Sequence, residues 1–174
     1  MIVYISGGCK NGKSSIAEKI AFTLKQTDKP FYYIATMEPK DEEDKKRIEK
    51  HKKDREHLSF ETIEIHRNII NLEKTLNLDG TFLIDSVTAL LANEMFNNNS
   101  IIEDAYEKVS DELLYIIEKM KNVVIVSDYI YSDSIQYDNT TKNYIKGLAY
   151  IDRICSKNSD ILLEICYNNI IVHK

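Results

Sequence analysis

Short apolar runs alternate with stretches of helical spacing along the chain. Ile2 to Ser6 is an apolar, β-branched run ending at Gly7-Gly8, which predicts a buried strand. From Ser14 to Lys25 the apolar positions Ile16, Ala17, Ile20, Ala21 and Leu24 recur at helical spacing. Pro30 closes that unit, and Phe31 to Thr36 reads as a second strand. Asp41 to Leu58 predicts a very polar helix, Phe60 to Ile65 a short strand and Asn68 to Leu76 a helix. Thr81 to Ile84 is a core strand that ends at Asp85. Val87 to Phe96 predicts an apolar helix, broken by Asn97-Asn98-Asn99-Ser100, and Ile101 to Met120 repeats the helical spacing. Asn122 to Ser127 reads as a further buried strand and Thr141 to Ser156 as a helix. Asp160 to Ile165 and Ile170 to His173 flank Tyr167-Asn168-Asn169 and read as a closing hairpin. The alternation predicts one α/β domain over residues 1–174, with a mostly parallel sheet covered on both faces.

Composition narrows the setting. With 43% hydrophobic and 29% charged residues in 174, the chain reads as one globular domain rather than a disordered one. No run of about 18 apolar residues or cationic leader is present, so the expectation is a cytoplasmic protein without a membrane span. Cys9, Cys155 and Cys166 are an odd number without metal spacing and read as reduced thiols. The net charge of −5 argues against a nucleic-acid backbone as partner.

The chemistry begins at Gly7-Gly8-Cys9-Lys10-Asn11-Gly12-Lys13-Ser14, which fits G-x-x-x-x-G-K-[ST] without a mismatch. Gly7 and Gly12 let the backbone turn tightly, so that successive N–H groups face phosphate oxygens. The N-terminus of the following helix adds a favourable dipole. Lys13 would neutralise the β- and γ-phosphates of ATP or GTP, and the Ser14 hydroxyl would ligate Mg²⁺. An apolar strand before the loop and an amphipathic helix after it are the context the motif requires. Asp85, directly after a core strand, is placed to hold Mg²⁺ or its water. Its competing reading is a helix N-cap, a role that Ser86 could also fill. Asp128, after Val123 to Ser127, is a second candidate at a strand end.

The polar helix has two readings. Asp41 to Glu56 holds seven acidic and seven Lys/Arg residues, with Ile48 its only large apolar one, a pattern typical of a solvated helix. Within it, Arg47, His51 and Arg55 are spaced by four and share one face. A histidine between two guanidinium groups is held neutral and next to phosphate-binding forks, a setting for a phosphate acceptor.

Taken together these segments resemble the bifunctional adenosylcobinamide kinase/adenosylcobinamide-phosphate guanylyltransferases of cobalamin assembly. The similarity covers Gly7 to Ser14, Tyr33-Ile34-Ala35-Thr36, Arg47-Ile48 with His51 and Arg55, Thr62-Ile63-Glu64, and Leu83 to Thr88 with Asn93 and Phe96. The Arg-Ile-x-x-His-x-x-x-Arg segment is the most particular part. The resemblance implies a RecA-like P-loop fold and a homo-oligomer, commonly a trimer. It implies phosphorylation of adenosylcobinamide on its aminopropanol hydroxyl, then transfer of GMP from GTP onto that phosphate through a guanylyl-histidine, which matches His51. By the same resemblance, nucleotide contacts fall on the loop, on Ala35, Thr36 and Met37, on Lys52, Lys53, Asp54 and Arg55, on Glu64 and on Asp85. Arg47 and Arg55 would stabilise phosphate charge, with Lys13 and His51 as the catalytic pair.

The sequence also departs from that pattern. Where the family usually carries Asn-Glu-Val-Gly after its last core strand, this chain has Asp128-Tyr129-Ile130-Tyr131. Phe60 replaces the usual Trp, and one extra residue lies between Arg55 and Glu64. Two other readings stay open on the residues alone. One is a P-loop kinase of another small metabolite, in which His51 only binds phosphate; the other is a nucleotide-binding regulator without chemistry.

Overall fold

The apolar runs become neighbours in one seven-stranded sheet. In the computed structural model its strands are β1 (Ile2–Gly7), β2 (Phe31–Ala35), β3 (Glu61–Glu64), β4 (Thr81–Asp85), β7 (Asn122–Asp128), β8 (Ile161–Cys166) and β9 (Asn169–Val172). Their order is β3-β2-β4-β7-β1-β8-β9, every pairing parallel except β8 with β9. The structure describes residues 1–55, 58–97, 100–131 and 135–174, without the side chains of Arg47, Lys50, His51 and Asp54.

Strand periodicity divides the core into two layers, because alternate side chains leave the sheet on opposite faces. Tyr4, Ile34, Phe82, Ile84 and Ile125 pack on one side with α4 (Val87–Met95), α5 (Ala105–Lys119) and α6 (Asn139–Asn158). Val3, Ile5, Tyr33, Leu83, Val124 and Val126 pack on the other with Ala17 and Ala21 of α1 (Lys13–Leu24). The result is three layers with a mostly parallel sheet inside. The polar helix α2 (Glu42–Arg55) contributes to neither layer, as its composition requires.

Local rules explain where element bounds move. The helix expected from Ile101 begins only at Ala105, because Phe96–Asn97 (β5) pairs antiparallel with Ser100–Ile101 (β6). Ile101 and Ile102 are exposed, so they never belonged to the buried helical stripe. Asn68–Leu76 divides into a 3₁₀ turn, Ile69–Asn71, and a short α3, Leu72–Thr75. α6 starts earlier than Thr141, since the Asp138 carboxylate accepts the Thr141 N–H at 2.7 Å and caps it. The β8–β9 turn is Tyr167-Asn168, both with positive φ, the conformation of a two-residue hairpin.

This topology builds the site. β7 lies between β1 and β4, so the carboxyl ends of those three parallel strands carry Gly7, Asp128 and Asp85 along one sheet edge. In open α/β sheets, ligands bind outside that edge.

Candidate active site

The loop after β1 is shaped by what surrounds it. A Cβ on Gly7 would run into the Ile165 carbonyl of β8, so only glycine lets the strands approach there. Gly12 has φ 88°, and a Cβ on it would strike the Asn168 side chain of the hairpin turn. The Asn11 amide donates to the Ile165 carbonyl, tying loop to sheet. Lys13 is only 6% exposed. Its ammonium donates to the Gly8 carbonyl at 2.6 Å and pairs with the Asp128 carboxylate at 2.8 Å, with Asn11 Oδ1 farther off at 3.4 Å.

Asp85 follows β4 at the same edge. Its Oδ2 accepts the Tyr33 hydroxyl at 2.7 Å. The cap of α4 is Ser86, whose Oγ accepts the Ala89 N–H at 3.3 Å. That removes the cap explanation for Asp85 and leaves its carboxylate facing the cavity. Burial first, and then Asp85, hold the Tyr33 phenol well above its ordinary pKa, so it remains a donor. The Arg55 guanidinium lies 3.5 Å from the Tyr33 ring centroid and 4.0 Å from Glu18 of α1, and Arg55 is 7% exposed. A continuous set of contacts thus joins the end of α2 to Asp85.

A cavity of 1120 Å³ connects these groups. It is lined by Cys9 through Ser14 and by Ala35, Met37, Lys52, Arg55, Glu64 and Asp85, which brings most of the sequence candidates together. Lys45, Ile48, Glu49, Lys52 and Arg55 line it at helical spacing, so one face of α2 closes over the loop. Position 51 lies three residues after Ile48 and four before Arg55, both lining residues. The side chains of His51, Arg47 and Asp54 themselves lie outside the described ones. Glu64 pairs with Lys52 at 2.6 Å, and that hydrogen bond lowers its pKa.

Other candidates sit elsewhere. Gly7, Gly8 and Lys53 are not among the lining residues. Thr36 is fully buried behind the site; its Oγ1 donates to the Ser86 carbonyl and accepts the Ser86 N–H, both at 2.7 Å. Its carbonyl accepts the Asn93 amide at 2.8 Å. Thr36 therefore sets the chain path at Asp85-Ser86.

Three groups, two lining the cavity and one buried beneath the sheet edge, were not legible in the sequence. Tyr33 reads as strand core, and only the register of β2 on β4, with Ala35 opposite Asp85, brings its hydroxyl there. Glu18 lies one helical turn beyond Ser14, a spacing that points to the same face. Asp152, on α6, is buried and accepts the Tyr4 and Tyr131 hydroxyls and, at 2.7 Å, Ser127 Oγ. No sequence signal marks it. Among the described residues no group of three or more His, Cys, Asp or Glu could hold a metal alone. Ser14 and Asp85, both lining the cavity, match the sparse protein ligation of Mg²⁺ brought in on phosphates.

The three-layer sheet and the glycine loop define a P-loop nucleoside-triphosphate-binding protein. The chain belongs to the cobinamide kinase / cobinamide phosphate guanyltransferase family, whose model matches residues 3–166. It is therefore a transferase of cobalamin biosynthesis by family. Among solved structures it is similar to the flagellar accessory protein FlaH from Methanocaldococcus jannaschii. The TM-score is 0.55 at 13% identity, over 99% of this chain and 77% of that one. It is also similar to a solved ATPase domain, with TM-score 0.52 at 15% identity over 94% of this chain and 68% of that one. At such identities the likeness concerns fold alone. No curated protein sequence matches the chain.

Proposed function

We propose that this chain performs both family reactions itself: it phosphorylates adenosylcobinamide with a bound nucleoside triphosphate, and then transfers GMP from GTP through His51. The observation that carries this reading is the single cavity running from Lys13 to the cavity-facing side of α2, the helix that carries position 51. In the first reaction the loop N–H groups and Lys13 hold the phosphates and stabilise charge that develops during transfer. Mg²⁺, held by Ser14 and Asp85 when the nucleotide is bound, would supply further neutralisation of the phosphate oxygens. In the second, neutral His51 attacks the α-phosphorus of GTP. A P–N bond forms, the bond to the β-phosphate bridging oxygen breaks, and pyrophosphate leaves. A phosphate oxygen of adenosylcobinamide phosphate then attacks the same phosphorus, forming the diphosphate and releasing imidazole. Arg55, already at the cavity wall, and Arg47 would stabilise charge on the transferring group.

The volume supports a shared site. At 1120 Å³ the cavity exceeds the roughly 300–1,000 Å³ of ordinary small-ligand pockets, as a nucleotide plus an acceptor arm requires. The exposed apolar residues Tyr167, Ile170, Ile171 and Val172 on the terminal hairpin support extending the proposal to a homo-oligomer, a trimer by resemblance. The described residues contain no helix long and apolar enough to cross a membrane. The test is incubation with adenosylcobinamide, ATP, GTP and Mg²⁺ with product masses measured. The expected products gain first a phosphate and then GMP. A phosphorylated product that never acquires GMP would leave a kinase without guanylyl transfer.

A further inference from the structure

We propose that Asp128 is the general base of the phosphoryl-transfer step, and that Thr88, Ala89, Ala92 and Tyr144 form the wall against which the acceptor alcohol lies. The proposal deepens the kinase half of the function above and rests on it. Asp128 ends β7, the strand between the phosphate loop and Asp85, and its side chain is 31% exposed into the cavity. It is fixed from below: its N–H donates to Thr88 Oγ1 at 2.8 Å, and the Tyr144 hydroxyl donates to the Thr88 carbonyl at 2.9 Å. Thr88, Ala89, Ala92 and Tyr144 line the cavity from α4 and α6, whereas the α2 residues come from β2's side of the sheet.

Lys13 sets the distances. An ammonium has three donors. Gly8 and Asp128 take two of them at 2.6 and 2.8 Å, and Asn11 is a long 3.4 Å contact, which leaves a donor for a γ-phosphate oxygen. Two hydrogen bonds of ~2.8 Å diverging from one tetrahedral nitrogen put their acceptors about 4.5 Å apart. That gap admits one hydroxyl oxygen, about 2.6–3.2 Å from the carboxylate and about 3–3.5 Å from phosphorus, the separations of a base and of a near-attack geometry. A carboxylate so close to a phosphate is repelled unless a proton lies between them, which the acceptor O–H provides. In the step, the alcohol oxygen bonds to the γ-phosphorus, the bond to the β,γ-bridging oxygen breaks, the nucleoside diphosphate leaves, and the hydroxyl proton passes to Asp128. The charged and titratable groups facing Asp128 are Lys13 from α1 and Tyr144 and Asp152 from α6.

The experiment compares wild type with Asp128→Asn and Asp128→Ala, following phosphate transfer to adenosylcobinamide and, in parallel, hydrolysis of the nucleotide without it. Expected for both variants is a kcat lower by about 10²–10⁴-fold. The Kd for nucleotide and the half-saturating Mg²⁺ should stay within about threefold of wild type. A kcat within tenfold of wild type in Asp128→Asn would overturn the proposal. So would a loss accompanied by a matching rise in required Mg²⁺, which would make Asp128 a metal ligand. If wild type ignores adenosylcobinamide, the functional reading falls. The hydrolysis arm then decides Asp128 separately: loss at unchanged Kd sustains the base, and retention refutes it.

Discussion

Lys13 and Asp85 both line the cavity, and each is held by a partner. Lys13 is pinned by Gly8 and Asp128, Asp85 by the Tyr33 hydroxyl. Because Ser86 and not Asp85 caps α4, Asp85→Asn should leave the melting temperature nearly unchanged. It should raise the Mg²⁺ concentration needed for tight nucleotide binding by roughly tenfold or more, the scale on which groups around a metal act. Calorimetric titration of nucleotide across a Mg²⁺ series checks this; a lowered melting temperature with unchanged Mg²⁺ dependence would contradict it. At this scale the glycines, Lys13, Ser14 and Asp85 were legible, since their chemistry is local and tied to spacing. Tyr33 was not. It lies in a strand whose neighbours are all core, and its hydroxyl acquires a role only through the register of β2 on β4.

Elements follow the same division. β1, β2, β4 and β7 were legible because a strand buried on both faces must be apolar throughout, and the loop-to-α1 transition because it carries a motif. Less legible were Phe96 to Ile101, where a two-residue antiparallel pair replaces helix ends, and the cap at Asp138. α6 brings a further unannounced feature, the buried Asp152 under Tyr4, Ser127 and Tyr131. Burial raises its pKa, and three donated hydrogen bonds only partly oppose this. The same burial pushes the adjacent Cys155 thiol up to about 12, which keeps it inert. A carboxyl with a raised folded pKa binds its proton more tightly in the native state. The stabilisation is complete below the unfolded pKa and is lost as pH rises through the folded one. Wild type should therefore lose stability relative to Asp152→Asn across that window, with a slope of at most about 1.4 kcal/mol per pH unit. Urea denaturation of both proteins at several pH values checks the sign. A pH-independent difference would show that folding does not raise the Asp152 pKa.

The whole molecule joins a nucleotide-binding sheet edge to a charged helix that packs in neither core layer. That helix can hold its place through Arg55 on Tyr33 and Glu18, and through Lys52 on Glu64, rather than through apolar burial. Its weak hydrophobic pattern reads as a solvated surface, and the cavity face emerges only when the lining positions 45, 48, 49, 52 and 55 are seen together. The fold was open to sequence reasoning because periodicity encodes layers. The joint cavity was not, because it depends on how α2 is seated. Whether His51 carries GMP decides the guanylyl half of the proposed chemistry. The direct measurement is incubation with Mg²⁺ and GTP labelled at the α-phosphate, followed by digestion and mass analysis of the peptides at near-neutral pH. GMP should appear on the peptide containing His51, as an acid-labile bond sensitive to hydroxylamine. His51→Asn should lose the label while still phosphorylating adenosylcobinamide. A label that persists in His51→Asn, or a wild-type protein that never acquires one, would contradict the guanylyl-histidine and return α2 to the role of a phosphate-facing cover.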